Sequence, residues 1–277
     1  MTLHPELKLS FIGAGNMAQA IIKGLLKQGL SPEQISATTS REESAQAAST
    51  ELGIHCHCDN HAAVADADII VLAVKPQKLE DVCQSLKASI KPGALVLSVA
   101  AGIRCSSMEH WLGSIAIARS MPNTPSAIGL GASGLYSNSQ CSTEQKQQAR
   151  AILEAVGICA EVEQEQQIDA VTAVSGSAPA YFFLFAEAMI DAGEKLGLNR
   201  DVATQLALQT AHGAAALAQS NELDVAELRR RVTSPKGTTE QAILSFEKGG
   251  LRDLVENAMR ACTRRAAELS DELGNNS

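Results

Sequence analysis

The segment LKLSFIGAGNMAQAIIKGLLKQG, Leu7 to Gly29, restricts the fold more than any other stretch of the chain. A short apolar strand runs into glycines, and a helix with one apolar face leaves them at once. Gly13 permits a tight turn, Gly15 lets a ligand approach the backbone, and the small Ala18 lets the helix lie close on the strand. A turn of this kind joins a parallel strand to its crossover helix, so the chain is expected to continue as further strand–helix units.

It does so as far as about residue 163. QISATTS reads as a second strand and REESAQAASTELG as a second helix. IHCHC, ADIIVLAVKP, ALVLSVAAG and SIAIARSMPNTP read as further strands, with QKLEDVCQSLKASIKPG helical between ADIIVLAVKP and ALVLSVAAG. The alternation predicts a parallel sheet. Beyond residue 163 every segment has helical period and no strand is expected. PAYFFLFAEAMIDA is apolar nearly all round, yet too short and interrupted to span a membrane, so it must be buried on several sides, in part against a second copy of the chain. The fold class expected is an α/β Rossmann-type dinucleotide-binding domain over residues 1–163 and an all-α dimerisation domain over 164–277.

With 277 residues, 45% of them hydrophobic, the chain can bury two cores. A net charge of −8 argues against nucleic acid or an anionic membrane as partner. No signal peptide is read at the start. The seven cysteines lack framework spacing, so they are expected to be reduced thiols of a cytoplasmic protein.

The glycine turn, in the pattern G-x-G-x-x-A, opens a helix whose free N–H groups suit a pyrophosphate. The second strand ends Thr38-Thr39-Ser40-Arg41, with no carboxylate until Glu42 on the next helix. Hydroxyls and a guanidinium suit a ribose 2′-phosphate, so NADPH is favoured over NADH. Lys75 in AVKP and the small residues of VAAG end the fourth and fifth strands, at the sheet edge where ligands bind in open α/β folds.

In TSPKGTTEQA, Thr238 to Gln241 fits a capping box after a turn at Gly237, and such a helix start would hold a small carboxylate. The alternative is an ordinary capped helix. In VSGSAPAY, the hydroxyls of Ser175 and Ser177 would either face a substrate or cap a helix, and Tyr181 would be a proton donor or, beside Phe182 and Phe183, part of a core. GIHCHCDNH suggests a metal, but strand alternation puts His55 and His57 on one face and Cys56 and Cys58 on the other. Ligands split in this way do not converge on one tetrahedral ion, and no metal site is expected.

FIGAGNMA, AVKP, VAAG, RSMPNTP, VSGSAPAY and SPKGTTEQA occur in that order, and as an ordered set they resemble Δ1-pyrroline-5-carboxylate reductase over residues 8 to about 270. The resemblance implies a Rossmann domain, a helical dimerisation domain and an active site completed by the partner subunit. It implies reduction of 1-pyrroline-5-carboxylate to L-proline with NAD(P)H, the last step of proline synthesis, by a homodimer at least, with a ring of dimers as the larger assembly. Carried over by motif, Ile12, Gly13, Ala14, Gly15, Asn16 and Met17 form the pyrophosphate loop. Thr39, with Ser40 and Arg41 beside it, serves the adenosine ribose, and Asn60 the adenine side. Ala73, Val74, Lys75, Pro76, Val99, Ala100 and Ala101 line the nicotinamide half. Glu165, Ser175, Gly237, Thr238 and Thr239 are expected at the substrate, and Thr239 is expected to bond its ring nitrogen or a carboxylate oxygen. The chain departs from the family at Lys236, where a glycine is frequent, and at Arg231, where some members have asparagine near the cofactor phosphate. A 3-hydroxyacid dehydrogenase of the same two-domain plan is the nearest rival, but it needs a lysine on the first interdomain helix, and none occurs before Lys195. A non-catalytic NADPH-binding dimer is the other.

Overall fold

The computed structural model describes His4 and residues 6–274. Two compact units emerge: residues up to 177 together with 262 onward, and residues 178–261.

The first unit is an eight-stranded sheet in the order β3-β2-β1-β4-β5-β6-β7-β8. Its strands are β1 (Leu9–Ile12), β2 (Ile35–Thr38), β3 (His55–His57), β4 (Ile69–Leu72), β5 (Leu95–Ser98), β6 (Ala116–Met121), β7 (Gly131–Ser137) and β8 (Gly157–Glu161). Helices α1 (Asn16–Lys27), α2 (Glu42–Leu52), α3 (Asn60–Ala65), α4 (Leu79–Leu86), α5 (Cys105–Leu112), α6 (Thr143–Glu154) and α7 (Gln167–Val171) accompany them. Strand order reverses between β1 and β4, which pair in parallel from Leu9↔Ile69 to Ile12↔Leu72. That reversal makes the crevice where dinucleotides bind in such sheets.

Each central strand is apolar on both faces, as a doubly covered parallel sheet requires. Leu9 and Phe11 of β1, with Val71 and Leu97, pack with Ile21, Ile22 and Leu25 of α1. Ile12, Ile70 and Val96 point into the opposite layer with Leu79 and Cys83 of α4 and Met108 and Trp111 of α5.

The sheet departs from expectation in one respect. It is not wholly parallel: β7 pairs antiparallel with β6 and parallel with β8. Neither β7 nor β8 was expected, because GASGLYS and GICAE carry few of the residues that favour strands. Gly134 explains part of that weakness. A Cβ there would lie 2.5 Å from Val171 Cγ1, so α7 lies against β7 only over a glycine.

The units divide at a different place from the expected 163/164. α7 and a π-helical turn (Thr172–Gly176) belong with the sheet. So does the end of the last helix, α12 (Leu251–Gly274), whose Asp271 pairs with Arg104 at 3.0 Å.

The second unit holds α8 (Ala178–Lys195), α9 (Arg200–Gln219), α10 (Val225–Arg231), α11 (Thr238–Lys248) and the start of α12. Ala203 and Ala207 of α9 are buried, and Gly193 of α8 meets Ala203 closely enough that a Cβ would sit 3.2 Å away. Arg200 pairs with Asp191 at 3.1 Å and with Glu194. The rings of Phe185 and Phe246 meet at a tilt, their centroids 6.1 Å apart. Tyr181 is 37% exposed, and Phe182 and Phe183 are 71% and 67% exposed. The chain stays helical from Gln167 to Lys195, because the π turn carries it past Ser175 and Ser177. At 29 residues this run is long and apolar enough to cross a membrane, contrary to expectation.

Candidate active site

The residues predicted for the cofactor gather at the carboxyl edge of the sheet, in runs that follow β1 to β5. Gly13 leaves β1 with φ +100°, and a Cβ on it would stand 2.9 Å from the Ala73 carbonyl oxygen. Its N–H donates to Thr38 Oγ1 at 3.3 Å, so the buried end of β2 holds the turn. Gln19 Nε2 donates to the Ala14 carbonyl at 3.0 Å and ties the loop to its own helix. Gly15 is the N-cap of α1, in extended conformation and without a side-chain cap, and no acid sits in the first turn. The N–H groups of that turn therefore face outward with the helix dipole behind them. No protein atom lies within 4 Å of a Cβ built on Gly15. The protein's own packing does not need a glycine here, whereas a pyrophosphate against the backbone does. The loop fits a dinucleotide.

Thr39 follows β2, its N–H bonded to the His57 carbonyl at 3.0 Å and its hydroxyl donating to the Arg41 carbonyl at 2.9 Å. Ser40 and Arg41 are exposed, and Arg41 is the N-cap of α2. As expected, Glu42 already lies on the helix. Asn60 is the first residue of α3, where Asp59 caps the helix by accepting from His61 and Ala62. His55 and His57 stack at 4.8 Å on one face of β3. Cys56 packs against the core, where burial pushes its thiol up.

Ala73 continues β4, its N–H on the Ile12 carbonyl at 2.9 Å. Lys75 is exposed and precedes a short turn opened by Pro76. Val99 bonds the Leu72 carbonyl and is half-buried. The side chains of Ile12 and Ala100 are buried in the core, so only their backbone is available to a ligand.

The expected substrate residues fall into both units. Glu165 is already engaged: its Oε1 accepts from the Cys105 N–H at 2.7 Å and from Arg119 Nη1 at 3.0 Å. Arg119, on β6 and 4% exposed, was not singled out from the sequence. An arginine inside an otherwise apolar strand was the signal for it. Its Nη2 stands 3.7 Å from Asp169 Oδ1, which has no hydrogen-bond partner among the described residues. Burial is the main force that pushes the Asp169 carboxyl up, with the Arg119 guanidinium opposing it. The Ser175 hydroxyl neither caps nor points free: it donates to the Val171 carbonyl at 3.1 Å inside the π turn. A cavity of about 350 Å³ lies within this unit, lined by Pro76, Ala101, Arg119, Asp169 and Cys262 among others.

In the second unit Gly237, not Thr238, is the N-cap of α11. The expected capping box does not form: Gly237 offers no capping side chain, and Glu240 Oε2 accepts from the N–H of Lys236, the residue before the cap, at 2.7 Å. Lys236 is the single non-glycine residue with positive φ among the described residues, at +61°. Glycine would be unstrained in that conformation, where a lysine is not. Thr238 and Thr239 thus stand exposed in the first turn of α11.

Comparison with known proteins agrees with this layout. The family described as pyrroline-5-carboxylate reductase dimerisation matches residues 165–269, and that described as NADP oxidoreductase coenzyme F420-dependent matches 8–102. A pyrroline-5-carboxylate reductase of Pseudomonas aeruginosa is 54% identical over 268 residues, 96% of this chain and 98% of that protein. The structure of a pyrroline-5-carboxylate reductase from Coxiella burnetii superposes with TM-score 0.93 at 43% identity, over 95% of this chain and 98% of that one. A Plasmodium falciparum pyrroline carboxylate reductase with NADP bound gives TM-score 0.83 at 29% identity, over 96% and 99%.

Proposed function

The chain belongs to the pyrroline-5-carboxylate reductase family, and from that premise we propose how its residues carry out the reaction. It is an NADPH-dependent oxidoreductase acting on a CH–NH bond, reducing 1-pyrroline-5-carboxylate to L-proline. The observation that carries this conclusion is 54% identity sustained over 96% of the chain.

The bound nicotinamide supplies the hydride. The backbone of Gly13 to Met17 and the start of α1 hold the pyrophosphate. Thr39, Ser40 and Arg41 hold the 2′-phosphate, Asn60 lies at the adenine side, and the backbone of Ala73 to Pro76 and Val99 to Ala101 supports the ring. The amides of Gly237 to Thr239 receive the substrate carboxylate, because an uncapped helix start is both a donor set and a positive pole. Thr239 bonds the ring nitrogen or a carboxylate oxygen. Glu165 acts from beneath by fixing Arg119. What these groups must achieve is proximity, C5 held about 3–3.5 Å from the hydride donor with water kept out.

The apolar surface of the second unit is read as the face that a second copy covers. The match to a dimerisation family supports that reading, and a ring of such dimers is the larger assembly proposed. On this reading the long apolar helix is an interface helix of a cytoplasmic enzyme.

The test is NADPH oxidation by the purified protein with 1-pyrroline-5-carboxylate, beside NADP reduction with a 3-hydroxyacid. Turnover of the imine alone is expected. Turnover of the hydroxyacid alone would transfer the chain to the rival class, and turnover of neither would leave a cofactor-binding dimer.

A further inference from the structure

Asp169 is 8% exposed, and its Oδ1 makes no hydrogen bond to any described residue. A buried carboxylate oxygen in that state is costly, and the cost is removed by a proton or by an N–H from a ligand. The arginine beside it does not supply that bond. Arg119 turns Nη1 to Glu165 at 3.0 Å and leaves Nη2 3.7 Å from Asp169, beyond hydrogen-bond reach. One cation thus stands between two carboxylates, with one satisfied and the other not.

The unsatisfied carboxylate lines the cavity of about 350 Å³ that Pro76 and Ala101 also line. Those residues follow β4 and β5, the strand ends assigned above to the nicotinamide. A ring held at those strand ends opens into the same cavity as Asp169. The volume suits a small ring bearing a carboxylate, since ligand sites run from about 300 Å³ upward.

We propose that Asp169 is the catalytic acid that protonates the imine nitrogen of the bound substrate. The inference rests on the reductase reading of this chain. The Asp169 O–H bond breaks as an N–H bond forms, leaving an iminium beside a carboxylate that Arg119 stabilises. C5 then takes the hydride, the C=N pair becomes the nitrogen lone pair, and the hydride donor is oxidised by two electrons. Water returns a proton to Asp169.

The surroundings suit a carboxyl that keeps its proton toward neutral pH. Burial raises its affinity for the proton, as do Glu165 and Asp271, while Arg119 and Arg104 oppose. Arg104 is neutralised in part by Asp271 at 3.0 Å, and Arg265, across the cavity on α12, by Glu272 at 2.7 Å. Cys105, beside Glu165, and Cys262, whose thiol donates to Ser177 Oγ at 3.4 Å, complete the titratable groups. Burial, first among the causes, holds the Cys105 thiol protonated throughout the working range.

Asp169→Asn keeps the shape and removes the proton. Its kcat/KM should fall about 100-fold at pH 8, within the usual range for losing a general acid. The defect should shrink as pH is lowered, because the imine then arrives protonated from solution, by about tenfold more per pH unit above its own pKa. Asp169→Glu should restore part of the rate, and NADPH affinity and thermal midpoint should be unchanged in both. A loss of equal size at every pH, or a rate within about threefold of wild type throughout, would overturn the proposal. Should Asp169→Asn fail to fold, carbon-13 titration of the wild-type carboxyl without cofactor decides. A midpoint above the ordinary carboxylate range is expected, and one at or below it overturns the assignment. Absence of imine turnover by the wild type would instead strike the reductase reading itself.

Discussion

Gly13 and Gly15 stand two positions apart, yet different things require them. Gly13 is required by the protein: its φ is +100° and a Cβ would press on the Ala73 carbonyl at 2.9 Å. Gly15 has no protein atom within 4 Å of that position. Gly13→Ala should therefore destabilise the fold by about 1–2 kcal/mol from backbone strain alone, with the clash in addition. Gly15→Ala should leave the thermal midpoint in place and weaken NADPH binding at least tenfold, as read by cofactor fluorescence. A lowered midpoint in Gly15→Ala would show that packing, not the cofactor, selects the second glycine. The motif was legible in the sequence, but this division of labour was not, since it depends on which atoms of β4 come near. Arg119 and Asp169 were illegible for a similar reason. Their meaning lies in a contact between β6 and α7, separated by a long stretch of chain that no spacing rule connects.

Strands and helices with strong periodicity were legible at the scale of elements. β1 to β6 and the helices between them follow from runs such as IIVL and LVLS, buried at every position. β7 escaped because its glycines answer to neighbours: Gly134 makes room for Val171. The start of α11 was legible to within one residue. Thr238 looks like a cap, but the strained Lys236 moves the turn and makes Gly237 the cap, and Glu240 closes it on the Lys236 N–H at 2.7 Å. The shift matters for chemistry, because it places Thr239 in the first turn with its hydroxyl not used as the cap. Thr239→Ala should lower kcat/KM for the imine at least tenfold, with the helical content of the protein unchanged by circular dichroism. Wild-type rates would remove Thr239 from the substrate site.

For the whole molecule, the exposed apolar side chains are concentrated in the second unit. Phe182, Phe183, Leu184, Leu206 and Leu254 are each more than half exposed there. A patch of that extent on a lone chain marks an interaction face. Sedimentation should give a dimer or a larger species, and Phe182→Asp with Phe183→Asp should shift the protein toward monomer and lower its activity. A wild-type monomer at micromolar concentration that retains full turnover would contradict the covered-face reading. Composition made this face legible as apolar, while the end of the first unit was misplaced, because α12 reads as one uninterrupted helix. Its last part returns to the sheet, where Asp271 meets Arg104 and the Leu273 methyl comes within 3.2 Å of where a Cβ on Gly102 would be. The sheet unit is thus written in two instalments, with the second unit between them. During synthesis the strands leave the ribosome before the second unit, and the wall holding Cys262 and Arg265 follows it. The cavity therefore waits for the whole of the second unit to be made, so a growing chain bears the cofactor loop well before it can close a substrate in.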